Sequence, residues 1–190
     1  MIVDRDTEVF QYEGCKINKA TISGAEGQAL KHALDILGKT MTDGGTAPAV
    51  AMDTDTHYAF HQGVFTYNSS TFKIKSVSVV IDNVIEALFE NSVTATDVEA
   101  TDRLVTLSAD LQYNSDADTL RQAINNGEKV AGSLVFTNGN QSLTFTFPAL
   151  IASDEDPVVG GRGKIRYPLN LQALQSGTSK EIVVTHDSTA

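Results

Sequence analysis

The residues best suited to chemistry fall in a few short clusters, and each is weighed by what its chemistry needs. Gly160-Gly161-Arg162-Gly163-Lys164 has the glycines and lysine of a phosphate-cradling loop. Such a loop ends in Lys followed by Ser or Thr and opens a helix, so that backbone N–H groups and a hydroxyl reach the phosphates and a metal. Here Val159 precedes the run, Ile165 follows Lys164 and a strand pattern comes next, which leaves a positively charged loop. Asp53-Thr54-Asp55-Thr56-His57 alternates oxygen ligands like the start of a calcium loop, but His57 and Tyr58 stand where a third ligand and a glycine belong. His57 and His61 offer that cluster two imidazoles for a transition metal. Solvated loop groups are the simpler reading, because none of the histidines lies in an HExxH or CxxC context. Asp154-Glu155-Asp156 sits in a Pro/Gly-flanked loop, where a solvated turn is expected rather than an acid/base pair. The chain contains no GxSxG, and its single cysteine, Cys15, has only Lys16 beside it to lower its pKa. Cys15 therefore reads as a small apolar residue in a reducing compartment. No catalytic, metal or cofactor residue is predicted, and nothing argues for an enzyme.

At 190 residues the chain holds one core comfortably. Its 41% hydrophobic and 20% charged residues are those of an ordinary globular protein, so wholesale disorder is excluded. Acidic residues number 24 against 14 basic, a net charge of -10 that disfavours a phosphate-gripping surface. Nucleic acid that slides past without sticking remains compatible, because like charge discourages adhesion. The opening MIVDRDTEVF lacks a basic region followed by an apolar run, and no stretch approaches the ~18 apolar residues of a membrane span. The expectation is a soluble protein made in the cytoplasm, without a membrane partner.

The elements that would position these groups are mostly strands. In 71–86 Val77, Val79 and Ile81 alternate with Ser76, Ser78, Val80 and Asp82, the period of a half-buried strand. Similar alternation recurs at 103–111, 142–147, 166–174 and 180–186, the last two expected to form a hairpin around Ser176-Gly177. Asn138-Gly139 signals a two-residue hairpin. The one convincing helix spans 115–128, about 116–127 at its core, with Asp116 or Asp118 as its cap and Leu120, Ala123 and Ile124 as its stripe. QALKHALDILGKT at 28–39 fits both periods, with propensity alone favouring a helix. The long stretch 41–70 reads as one irregular loop, and loops beyond ~12–15 residues are uncommon unless functional. Its aromatics Tyr58, Phe60, Phe65 and Tyr67 need a surface to pack on, in this chain or a neighbour.

Several stretches in order resemble the tail tube (major tail) proteins of long-tailed bacteriophages, prophages and gene-transfer agents. They are FQYEGCKINKATISGAEGQALKHALDILGK, FKIKSVSVVIDNVIEALFENSVTATD, ATDRLVTLSADL, KIRYPLNLQAL and TSKEIVVTHDST. The resemblance implies one tail-tube-like domain over 1–190, with two packed antiparallel sheets (a sandwich or flattened barrel) and one flanking helix. It settles 28–39 as a strand. It also implies stacked, six-fold rings of self-assembled copies forming a hollow virion tail tube, assembled in the host cytoplasm. Double-stranded DNA would pass through that tube without specific binding, and tape-measure, tail-tip and tail-terminator proteins would be partners. Tyr58, Phe60, Phe65 and Tyr67 then fall in an inter-subunit or inter-ring loop. Family members often carry a substantial stretch before the FQYEGCK-like segment, where Met1–Glu8 stand here. The reading of a different class is a monomeric β-sandwich binding module of a virion, a decoration or carbohydrate-binding domain with an exposed aromatic patch.

Overall fold

A computed structural model describes residues 1–190 except 6–7, 48, 50–56, 153–156, 158–164 and 189–190. Its strands are β1 (Ile2–Asp4), β2 (Val9–Glu13), β3 (Lys16–Ala25), β4 (Lys31–Leu37) and β5 (Thr40–Asp43). Then come β6 (Gly63–Tyr67), β7 (Ser70–Phe72), β8 (Ile74–Asp82), β9 (Ile85–Leu88), β10 (Asp97–Ala100) and β11 (Leu104–Gln112). Helix α1 (Ser115–Asn125) follows, and β12 (Val130–Asn138), β13 (Gln141–Ala152), β14 (Arg166–Leu174) and β15 (Val183–Asp187) complete the order. The chain is mainly β, in several antiparallel sheets with a single α-helix among the described residues, as its alternating patterns predict. The sheets stay open, and no barrel closes among the described residues. Residues 28–39 hold strand β4, so tertiary context overrides the helical stripe there.

The chain divides into two compact units. Unit 1 comprises Met1–Ala20, Ala33–Asp55 and Ile81–Leu104. In it β2 pairs with β1 on one side and with β5 on the other, so Gln11 lies opposite both Ile2 and Thr42. The β9–β10 pair sets Val98, 1% exposed, opposite Ala87, and the Lys16 ammonium donates to the Val98 carbonyl. Val84, between β8 and β9, has a φ of 42°, a left-handed conformation that a β-branched side chain resists. Its neighbours hold it there: its N–H donates to the Asp82 carboxylate at 3.1 Å, and its carbonyl accepts from the Thr101 hydroxyl at 2.7 Å. The Val84 N–H and then Lys19, 3.1 Å away, hold the Asp82 carboxyl below its usual pKa. Val84 is 41% exposed, so replacing it loses little burial. Val84→Asn, a residue that tolerates this conformation, is expected to raise subunit stability by about 1 kcal/mol in thermal melts. A lower melting temperature would show that the Val84 side chain contributes more than its strain costs.

Unit 2 comprises Thr21–His32, Thr56–Val80 and Val105–Ala190. Its strand order is β3-β8-β11-β14-β13-β12-β6-β7, with β15 also on β13. The core follows from alternation. Val105, Leu107, Ala109 and Leu111 of β11 face inward, and the antiparallel register sets them opposite Ala173, Leu171, Leu169 and Tyr167 of β14. Phe145 and Phe147 of β13, with Leu134 and Phe136 of β12, extend this layer, and each fully buried side chain is worth about 1.5–3 kcal/mol. Helix α1 buries Ala117, Leu120 and Ile124. Asn114, not Asp116 or Asp118, caps it, accepting from the Ala117 N–H at 2.9 Å. Asp118 instead accepts from the Tyr113 hydroxyl at 2.7 Å and from Arg121 at 3.2 Å, which lower its pKa in that order. The 138–141 hairpin has its left-handed residue at Gly139, φ 60°, the first loop position.

Two expectations are corrected. The last two strands do not pair with each other. β14 is already paired with β11 along its length and with β13 at Ala149–Ala152, so β15 takes the remaining stretch of β13, Ser142–Thr146. The irregular loop is also shorter than 41–70. It yields β5 at one end and, at the other, a 3₁₀ turn (Phe60–Gln62) and the β6–β7 hairpin. Asn68 and Ser69, at φ 48° and 62°, supply the two left-handed residues of that hairpin's turn.

Candidate assembly surface

The residues singled out for metal or phosphate chemistry do not converge among the described residues. Asp53, Asp55, Asp154, Glu155, Asp156 and the 160–164 glycine run lie outside the described residues. His57 and His61 are both exposed. Cys15 is half-buried, its thiol 3.5 Å from the Tyr12 carbonyl.

The four aromatics part company. Phe65 and Tyr67 are 0% exposed and Phe60 is 7% exposed, all within unit 2. Alternation explains this: Phe65 and Tyr67 point inward from β6 while Val64 and Thr66 point outward. Tyr58 is half-buried, its ring edge-on to His186 at 6.3 Å, and burial followed by Asp187 raises its hydroxyl pKa. The segment before β6 is tied down at both its ends. The Leu30 N–H donates to the Tyr58 carbonyl at 2.8 Å, and the Gln62 amide donates to Asn138 at 3.1 Å.

The Tyr67 hydroxyl is buried with no hydrogen-bond partner among the described residues. Burial, then Tyr167 and Glu128, push its pKa up to about 12. An orphaned buried hydroxyl costs about 1–3 kcal/mol, so Tyr67→Phe is expected to stabilise the subunit by about 1 kcal/mol in denaturant unfolding. Destabilisation would mean that the hydroxyl has a partner, such as a bound water.

What the fold does expose is strand backbone and uncharged sheet face. Among the described residues β15 pairs only with β13, and all five of its residues are exposed, Val183 and Val184 at 48% each. Its second side is an open edge among the described residues. Isolated subunits usually blunt such edges with Lys, Pro or a bulge, because a free edge recruits other chains. β15 holds no Lys, Pro or bulge, and its one carboxylate, Asp187, stands at its last position.

Beside it the outward residues of five strands align in rows. Thr71, Thr66, Ser133, Thr146 and Val183 make one row. Val64, Val135, Thr144 and Thr185 make the next. None of these nine carries a charge; Asp187, opposite Ser142, lies one row further along β15, and the exposed Lys73 follows the end of β7.

Charge is segregated by unit. Fourteen acidic and five basic residues fall within the bounds of unit 1, and ten and nine within those of unit 2, so the net -10 divides as -9 and -1. The acidic balance that argues against phosphate binding belongs almost wholly to unit 1.

A β-rich chain with an open strand edge and no converging catalytic groups among its described residues fits a protein that works through its surfaces. The family model of phage tail tube proteins matches residues 1–173. The chain belongs to the phage tail tube protein family. A search of curated proteins finds no match. As a tail tube protein it is a structural component of the virion tail, from a family whose members build tubes with other tail components. The edge of β15 and the uncharged rows are the features of this tail tube chain that the sequence alone did not point to. The signal for them lay in the Thr/Val content of 142–146 and 183–185, but a face and an edge exist only once pairing is known.

Proposed function

We propose that copies of this chain close edge to edge into rings, probed first as hexamers, which stack into the hollow tail tube. The observation that carries this reading is β15, an exposed strand that among the described residues is paired on one side only. Antiparallel pairing with a neighbour's strand would satisfy the backbone groups that β15 leaves open. The two units act together as one tail-tube domain over 1–190. Of the four aromatics assigned to an inter-subunit or inter-ring contact, the half-buried Tyr58 is the one placed to meet a neighbour, while Phe60, Phe65 and Tyr67 pack in their own subunit. Head-to-tail contacts of that kind are heterologous and give open stacks.

Double-stranded DNA passes through the lumen without specific binding, and the net -9 of unit 1 supplies like charge that discourages adhesion. Tape-measure, tail-tip and tail-terminator proteins complete the tail, and assembly takes place in the host cytoplasm. The chain performs no catalysis in this role and uses no cofactor.

Negative-stain electron microscopy over a range of protein and salt concentrations tests the reading. Rings or hollow tubes are expected, with assembly favoured as salt screens the acidic unit. Particles of single-subunit size under every condition would reject self-assembly and favour a monomeric virion binding module.

A further inference from the structure

The geometry points to the two uncharged rows as a face buried against a second copy of this chain, an inference that rests on the self-assembly reading. A solvated protein surface carries charged residues at about 25–35% of its positions, so nine outward positions should hold two or three. The rows hold none, in a chain that is 20% charged overall. Eight of the nine are Thr or Val, at positions that alternate with the core-facing Phe65, Tyr67, Leu134 and Phe145. β-Branched side chains of this kind present a stiff, regular surface that packs closely against another sheet or strand.

Which partner the face meets follows from charge. DNA would require cations to neutralise phosphates, and the rows offer none. Two copies of a chain at net -10 repel each other except where their contacting surfaces are neutral, and this face is neutral. It also ends at the open strand: Val183 and Thr185 belong both to the rows and to β15. Edge pairing along β15 extends the sheet in its own plane and brings the neighbouring subunit to the margin of the rows, while burial of the face itself takes a second, face-on contact with a copy of the chain. Val64 and Val183, each 48% exposed, are the apolar area available for burial there.

Thr146, exposed and central on the face, tests the inference in two ways. In a Cys15→Ser background, Thr146→Cys is titrated with a small maleimide in the dispersed subunit and in assembled particles. Loss of reactivity on assembly is the expected result; equal reactivity in tubes would place the face on the lumen or the outer wall and overturn it. Separately, Thr146→Glu is expected to abolish assembly with the subunit melt unchanged, while Thr146→Val assembles like the parent. Normal tubes from Thr146→Glu would also overturn the inference, and so would an absence of tubes from the parent chain. In that last case the self-assembly reading falls as well, so the parent micrographs tell the two failures apart.

Discussion

Phe65→Ala should destabilise the dispersed subunit by about 3–5 kcal/mol, as large aromatic truncations in packed cores do. Domains of this size are stable by only about 5–15 kcal/mol, so a large part of the fold's margin rests on this one ring. Phe65 is 0% exposed, lies on β6 between β12 and β7, and has the Phe72 ring 6.3 Å away. Truncation would leave a cavity under three strands at once. Tyr58→Ala provides the contrast. Tyr58 is half-buried and precedes the strand, so its loss should change subunit stability by about 1 kcal/mol or less, with any further effect on assembly. Urea unfolding of the two variants, below the concentration at which the parent assembles, separates them. Equal and small losses would mean that the 63–72 hairpin does not pack in the core, and that all four aromatics are free to serve a neighbour.

The contrast between these two residues marks where the sequence is informative. Strands with long, regular alternation were legible: the inward residues of β11 and β14 are those their period of two selects, and 166–174 is β14 to the residue. The helix was legible from its stripe, although its cap fell at Asn114, because three neighbouring Asn and Asp residues compete for that position. β4 was decided by family resemblance, since KHALDIL satisfies both periods and only its neighbour β3 selects one. β6 escaped notice because it has only five residues, and its turn, Asn68-Ser69, is weaker than Asn-Gly. The candidate assembly surface was the least legible part. Pairing of β15 with β13 depends on which side of β14 is already occupied, and the division of charge depends on which distant segments cluster. Neither is a property of any local stretch.

Val183→Lys combined with Val184→Lys should leave the subunit folded and abolish ring and tube formation. Both side chains are already 48% exposed, and β15 adds no buried residue to the core, so the cost to the subunit should stay within about 1 kcal/mol. The cost to assembly is of another kind. A neighbour's strand laid along β15 would have to desolvate two ammonium groups with no carboxylate opposite, since β13 presents Thr146 and Phe145 to these positions. Natural sheet proteins place lysine on edge strands to this end. The repulsion also recurs at every interface of a closed ring, so even a modest penalty per contact prevents closure. Sedimentation and negative-stain micrographs of the double variant, beside a thermal melt, give the outcome. Tubes of normal length would remove β15 from the contact and shift attention to β4, the strand that ends the sheet order beside β3. Its pattern is nearly as exposed as that of β15, with only Ile36 and Leu37 partly covered. A melt lowered by several kcal/mol would instead show that β15 is part of the subunit's own stability, and that its edge is less available than its exposure indicates.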